Sequence, residues 1–248
     1  MKAALRLAIV ATGLLIAWQA IVNATEAPPF ILPGPFAVAA ALVRHSGLLL
    51  LNAGTTLAEI LLGLSLGAAL GAFSALIIAY VRPARLWLLP VLVASQAVPV
   101  FAIAPVLVLW LGYGMASKVA MAVLIIFFPV TAAFYDGLSR TEPGWLDLAR
   151  SMGASRWRQL IHLRIPAALP ACASGLRVAT AVAPIGAVVG EWVGASAGLG
   201  YLMLHANARM QVDLMFAALV VLAAMALGLY FAVDHLLRLA VPWQVDTL

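Results

Sequence analysis

Charge is what this chain has least of. Lys, Arg, Asp and Glu make up 9% of its 248 residues, against about a quarter in soluble domains. With 65% hydrophobic residues and a mean hydropathy of +1.10, a soluble protein of this length could not cover its own surface with polar groups. The class is therefore an integral membrane protein. Cysteine occurs once, as Cys172, which excludes an intrachain disulfide. Lysine occurs twice, as Lys2 and Lys118, and neither follows Gly, so no GxxxxGK-Ser/Thr phosphate loop exists. His45, His162, His205 and His235 are scattered without metal-ligand spacing. No Ser/His/Asp or Cys/His set is suggested, so neither a catalytic residue nor a metal site is expected. The net charge of +5 follows membrane topology and does not point to nucleic acid.

What is present is a series of long apolar runs. No charged residue lies between Arg6 and Glu26, Glu59 and Arg82, Arg85 and Lys118, Lys118 and Asp136, or Asp213 and Asp234. A spanning helix needs about 20 mainly apolar residues. The fold class is all-α, with six transmembrane helices near 5–23, 57–81, 88–111, 119–138, 171–193 and 214–237. The fifth contains Arg177 and Pro184. The first resembles a signal peptide in its Lys2 and Arg6, but its apolar stretch is long, and Trp18 and Gln19 stand where small residues belong, which favours a retained helix. With both termini cytoplasmic, the inner side holds Lys2, Arg6, Arg82, Arg85, Arg140, Arg150, Arg156, Arg158, Arg164, Arg177 and Arg238, eleven of the fourteen basic residues. Arg44, Lys118 and Arg209 fall outside. That asymmetry sets the expected orientation.

The chain divides into an N-terminal transmembrane helix (1–30), an outer-face interfacial segment (31–56) and a transmembrane domain (57–240) with a cytoplasmic loop at 139–170. In the segment "APPFILPGPFAVAAALVRHSG", Pro35 is placed to start a short helix through Arg44. Gly63, Gly67 and Gly71 in span two, and Gly186, Gly190 and Gly194 in span five, form small faces suited to close helix packing. Span three carries Pro99 and Pro105 beside Ser95 and Gln96. Prolines there free carbonyls and permit bending, which fits a static kink or a polar-lined gate equally. Glu59 and Glu191 fall at outer span ends, and Asp136 and Asp234 near inner ends. No carboxylate is expected at a midplane, where a proton- or sodium-coupled carrier would place one. Gln96, Pro99, Pro105 and Glu191 are the candidate translocation path or gate.

Against this background the stretch "LARSMGASRWRQLIHLRIPAALP", 148–170, is an anomaly. It holds Arg150, Arg156, Arg158, Arg164 and His162 in the middle of an apolar chain. Pro143 suits the first turn of a helix in which Trp145, Leu148, Ala149 and Met152 recur at helical spacing. Gly153 stops that helix and Ser155 caps a second, with Trp157, Leu160, Ile161 and Arg164 on one stripe. Pro166 and Pro170 are expected to end it before span five. Asp147 is expected in the first turn of the first helix, where the dipole favours a carboxylate by about 0.3–1 kcal/mol, with Arg150 and Ser151 within pairing distance. Two short amphipathic helices with a glycine elbow either rest on anionic headgroups or dock into a partner's groove.

The stretch resembles the cytoplasmic loop of ABC importer permeases, whose pattern is EAA, three residues, G, nine residues, I-x-L-P. Asp147, Leu148 and Ala149 stand at the EAA positions, Gly153 at the glycine, and Leu163, Ile165 and Pro166 at I-x-L-P. The spacing is kept throughout, and Leu148 for the first Ala is the larger departure. The resemblance covers roughly 31–243. "LPGPFAV", "IAPVLVLWLGYG", "GEWVGASAGLGYLM" and a late "PW" are similar to the nitrate/sulfonate/taurine branch, and "TTLAEILLGLSLG" and "SKVAMAVLIIFFPV" look most like permeases for thiamine-precursor pyrimidines.

The resemblance implies a type I ABC importer permease fold and a homodimer of permease subunits in membrane lipid. It also implies a cytoplasmic ABC ATPase that carries the ATP and Mg, and a periplasmic or lipid-anchored solute-binding protein outside. No cofactor is expected on this chain, which is read as a permease subunit and not an enzyme. The implied ATPase-coupling residues are Asp147, Leu148, Ala149, Arg150, Met152, Gly153 and Ala154. The implied cargo is a small organic solute, a pyrimidine first, with sulfonate, taurine, nitrate or riboflavin as alternatives. Two rivals come from other classes. A membrane-embedded transferase needs polar groups clustered at one interface, and a secondary carrier needs a midplane carboxylate.

Overall fold

The computed structural model describes residues 2–243, with side chains from Ile9 onward except that of Arg82. Lys2, Arg6 and Arg82, counted above as inner cations, thus have side chains outside the described set. The described residues are helical with short connections. The helices are α1 (Lys2–Thr25), α2 (Pro35–Arg44), α3 (Ser46–Tyr80), α4 (Arg82–Ala97), α5 (Val100–Leu111), α6 (Met115–Ser139), α7 (Pro143–Ser151), α8 (Arg156–Gln159), α9 (Ile165–Gly194), α10 (Leu199–Ala208) and α11 (Val212–Ala240). Four continuous helical segments are long and apolar enough to cross a membrane: α3, α6, Arg156–Gly194 and α11. The pair α4 and α5 makes a fifth if its halves count as one span. In α1 the apolar described part is shorter, Ile9–Thr25.

The centre of the bundle is α6, packed between α3 and α9. The small faces make this possible. Gly63 of α3 and Gly186 of α9 both abut Ala122 of α6, and Gly71 lies so close that a Cβ there would stand 2.7 Å from the Phe127 carbonyl oxygen. Ile60, Ala122, Ile126, Val130, Ala179, Ala183 and Ala187 fill the middle of the bundle. Contacts advance together along α3 and α6 (63 with 122, 71 with 130) but oppositely along α6 and α9 (122 with 186, 130 with 175). So α3 and α6 run parallel, and α9 returns. The loop helices α7 and α8 therefore sit at one end of the bundle, and the start of α6 at the other.

Three expectations change. Span two does not begin at 57. Helix α3 starts at Ser46, and only His45 separates it from α2. No proline interrupts 46–56, and the latter part of the segment 31–56 is continuous with the span. Pro166 and Pro170 do not end the loop helix. The helix runs unbroken from Arg156 to Gly194 through a π turn at Leu160–Arg164. That wider turn spares Pro166 the i−4 bond and ring clash that a proline meets in an ordinary helix. Span three is two helices bent by 101° about Val98 and Pro99.

Candidate functional site

Helix α7 starts at Pro143 behind Glu142. Its C-terminus closes in a Schellman motif: the Gly153 N–H donates to the Arg150 carbonyl at 2.9 Å, and the Ala154 N–H to the Ala149 carbonyl at 2.9 Å. Gly153 has φ +79°, a conformation that costs a residue with a Cβ. The Ser155 hydroxyl then accepts from the Arg158 N–H at 3.3 Å to cap α8, and the Gln159 side-chain amide donates to the Ala154 carbonyl at 2.8 Å. The elbow is thus fixed by local hydrogen bonds. The apolar stripe it carries is bare: Trp145 is 53% exposed, Leu148 62% and Met152 79%. No residue of α7 is buried.

Asp147 is the fifth residue of α7, not in its first turn, because the helix begins at Pro143. Its carboxylate pairs with Arg150 at 2.7 Å, both side chains being exposed. Ser151 donates to the Asp147 backbone carbonyl instead of the carboxylate. Behind the elbow, Arg164 donates through Nε and Nη2 to the Leu138 carbonyl at 3.0 and 2.8 Å, and through Nη1 to the Ala79 carbonyl at 3.4 Å. It thereby gathers the ends of α6 and α3 onto the π turn.

The second feature is the break in span three. Ser95 donates to the Leu92 carbonyl at 2.7 Å and Gln96 to the Ser95 hydroxyl at 3.3 Å. Gln96, Pro99 and Pro105 are exposed in the single subunit. A cavity of about 160 Å³ opens beside them, lined by Ser95, Gln96, Val98, Val100, Ile103, Leu124 and Phe127.

The third feature, at the end opposite α7, was not legible as a unit. Lys118, in the first turn of α6, forms a buried ion pair with Glu59 at 2.8 Å. The second oxygen of Glu59 has no hydrogen-bond partner, and Glu59 also lies within electrostatic reach of Glu191. Glu191 accepts from the Thr56 hydroxyl at 2.6 Å and from the Gly200 and Tyr201 N–H groups. Thr56 accepts from the Leu199 N–H, and the Asn52 side-chain oxygen from the Gly198 N–H, each at 2.8 Å. Five buried polar side chains thus tie α3, α6 and α9 to the turn Gly198–Tyr201. Glu191, a gate candidate by sequence, is buried in this knot and does not line the cavity beside Gln96. The available signal was that Glu59, Lys118 and Glu191 all sit at the same end of three different spans. Elsewhere, Arg177 of α9 pairs with Asp234 of α11 at 2.6 Å, which explains how a cation is held inside span five.

Residues 67–245 match the family described as binding-protein-dependent transport system inner membrane component. The chain belongs to this family. It is 59% identical, over 94% of both chains, to a probable ABC transporter permease protein of Haemophilus influenzae. It is 37% identical, over 87% of each, to the formylaminopyrimidine transport permease protein ThiX of Halalkalibacterium halodurans. It is 38% identical, over 98% of this chain and 91% of the other, to the riboflavin transport system permease protein RibX of Chloroflexus aurantiacus. Among solved structures it resembles an inward-facing MetNI methionine ABC transporter chain, with a TM-score of 0.67 and 19% identity over 79% of this chain and 97% of that one. The fold is that of a type I ABC importer permease, and the chain is a multi-pass inner-membrane permease subunit. Family membership decides against the transferase and the secondary carrier.

Proposed function

We propose that this subunit imports a thiamine-precursor pyrimidine as a homodimer. It would be driven by a separate ATPase that binds ATP and Mg and be supplied by an external solute-binding protein. The observation that carries the coupling role is the bare apolar face of α7 on a hydrogen-bonded elbow. Trp145, Leu148 and Met152 form the apolar side of a helix suited to a groove, and they stay exposed among the described residues. In this reading Asp147, Leu148, Ala149, Arg150, Met152, Gly153 and Ala154 form the docking element, and it and both termini lie on the cytoplasmic side. A push on α7 passes through the elbow to the π turn, and through Arg164 to the ends of α3 and α6.

The broken span supports the homodimer and the path. Open backbone at membrane depth is tolerated only against protein or water. The exposed break at Val98 and Pro99 therefore faces a second subunit or an aqueous route, and Gln96, Pro99 and Pro105 lie along it. Glu191, Thr56 and Asn52 hold the outer turn Gly198–Tyr201.

The likeness to ThiX supports a pyrimidine cargo, and the comparable likeness to RibX makes riboflavin the second reading. The sulfonate and taurine permeases align over a smaller part of this chain. The test is ATP hydrolysis by the reconstituted permease–ATPase complex with its binding protein. Stimulation by formylaminopyrimidine or hydroxymethylpyrimidine is expected. Stimulation by riboflavin alone selects the second reading, and stimulation by taurine or an alkyl sulfonate alone overturns both.

A further inference from the structure

A cavity lies behind the loop, apart from the one at the span-three break. It measures about 460 Å³ and is lined by Ala79, Tyr80, Leu146, Arg150, Arg156, Gln159 and Arg164. A second cavity of about 180 Å³ shares Ala79 and Arg164 with it and adds Arg85, Tyr135 and Ser139. The two neighbouring cavities, with Arg164 lining both, thus carry four guanidinium groups between them, and no carboxylate lines either. Arg150 is balanced by Asp147. Arg164 is held by the Leu138 and Ala79 carbonyls, which fix it without neutralising it. Arg85 rests over the Tyr135 ring at 5.9 Å. Arg156 makes no ion pair among the described residues. Such a recess carries net positive charge.

Its position identifies the source of the anion. The recess opens where α3 ends at Tyr80 and α6 at Ser139. Tyr80 and Trp157 stack edge-on beside it at 5.7 Å. Aromatic residues of this kind gather at the headgroup level. The recess also lies on the other side of α7 from the docking face. At about 100° per residue, Leu146 and Arg150 project opposite to Trp145, Leu148 and Met152. Of the recess residues only Arg150 also belongs to the docking element, so an ATPase seated on the apolar face would meet the recess at its edge. Basic pockets between helices at this depth suit anionic lipid headgroups.

We propose that this recess is a binding site for the phosphate headgroup of an anionic phospholipid, held by Arg156, Arg164 and Arg85, which pins the coupling loop to the membrane surface. The proposal rests on the loop lying at the membrane surface. It does not depend on the solute, so failure of the pyrimidine reading leaves it intact.

The test is lipid retention by the full permease–ATPase complex, extracted from nanodiscs of mixed phosphatidylglycerol and phosphatidylcholine and weighed by native mass spectrometry. One tightly held phosphatidylglycerol per permease subunit is expected, in preference to phosphatidylcholine. Arg156→Gln is expected to weaken retention about fivefold, and Arg85→Gln with Arg156→Gln about 25-fold. Arg156→Lys is expected to restore most of it, which separates charge from folding. Equal retention of both lipids, or unchanged retention in the double variant of an assembled complex, overturns the proposal. So does loss of the lipid when the ATPase is bound, which assigns the recess to a protein partner. Inorganic phosphate at tens of millimolar is expected not to displace the lipid, and displacement would assign the site to a free anion.

Discussion

Gly153→Val tests whether the elbow is part of the coupling. A Cβ at Gly153 would meet nothing within 4 Å, so crowding by neighbours contributes nothing. The whole effect comes from φ +79°. An ordinary L-residue loses about 1–2 kcal/mol there, and a β-branched one lies toward the upper part of the 1–3 kcal/mol range for such strain. About 2 kcal/mol lowers the population of the native elbow roughly thirtyfold relative to the relaxed one. The relaxed form gives up the bonds from Gly153 to Arg150 and from Ala154 to Ala149, and α7 loses its fixed angle to α8. Gly153 touches no core residue, so membrane abundance is expected to hold. Uptake and ligand-stimulated ATP hydrolysis, normalised to membrane abundance, are expected to fall at least tenfold. Gly153→Asn, which enters the same conformation more readily, is expected to retain most of both. Equal activity of the Val and Asn variants, or wild-type uptake with Val, would refute the reasoning.

Asp147→Asn removes only an exposed pair with Arg150, worth about 0–1 kcal/mol, so folding is expected to be normal while co-purification of the ATPase weakens. Undiminished recovery with full stimulated hydrolysis would show that the charge takes no part. Lys118→Met leaves Glu59 and Glu191 buried without their cation and is expected to cost about 3–5 kcal/mol. Adding Glu59→Gln is expected to recover much of that in thermal unfolding of the purified protein, and a double variant no more stable than Lys118→Met would deny the coupling between the two. Single cysteines at Arg158 and Asn207, both exposed, are expected to label only from the cytoplasm and only from outside, respectively. Cys172, the native thiol, is buried, and a reversed labelling pattern would overturn the proposed orientation.

What the sequence made visible was local. Pro35 and Pro143 start α2 and α7, Gly153 turns the elbow and Ser155 caps α8, because each acts through its own backbone within a turn of itself. The glycine stripes were legible as packing faces for the same reason, although nothing in them names α6 as the partner. What stayed hidden depends on structure elsewhere. Pro166 would end an ordinary helix, and it does not here because the turn before it is a π turn, held from outside by the carbonyls of Leu138 and Ala79 on Arg164. The polar knot joins Glu59 to Lys118 and Thr56 to Glu191 across 59 and 135 positions, separations that no periodicity records. Yet the charges themselves carried a clue. A lysine and two glutamates at the same end of three apolar spans cannot each remain buried alone. Burial in a bundle this apolar requires them to find one another, and their meeting draws the turn Gly198–Tyr201 down onto α3. Scarcity of charge, first a sign of the membrane, thereby becomes a constraint on how the helices assemble.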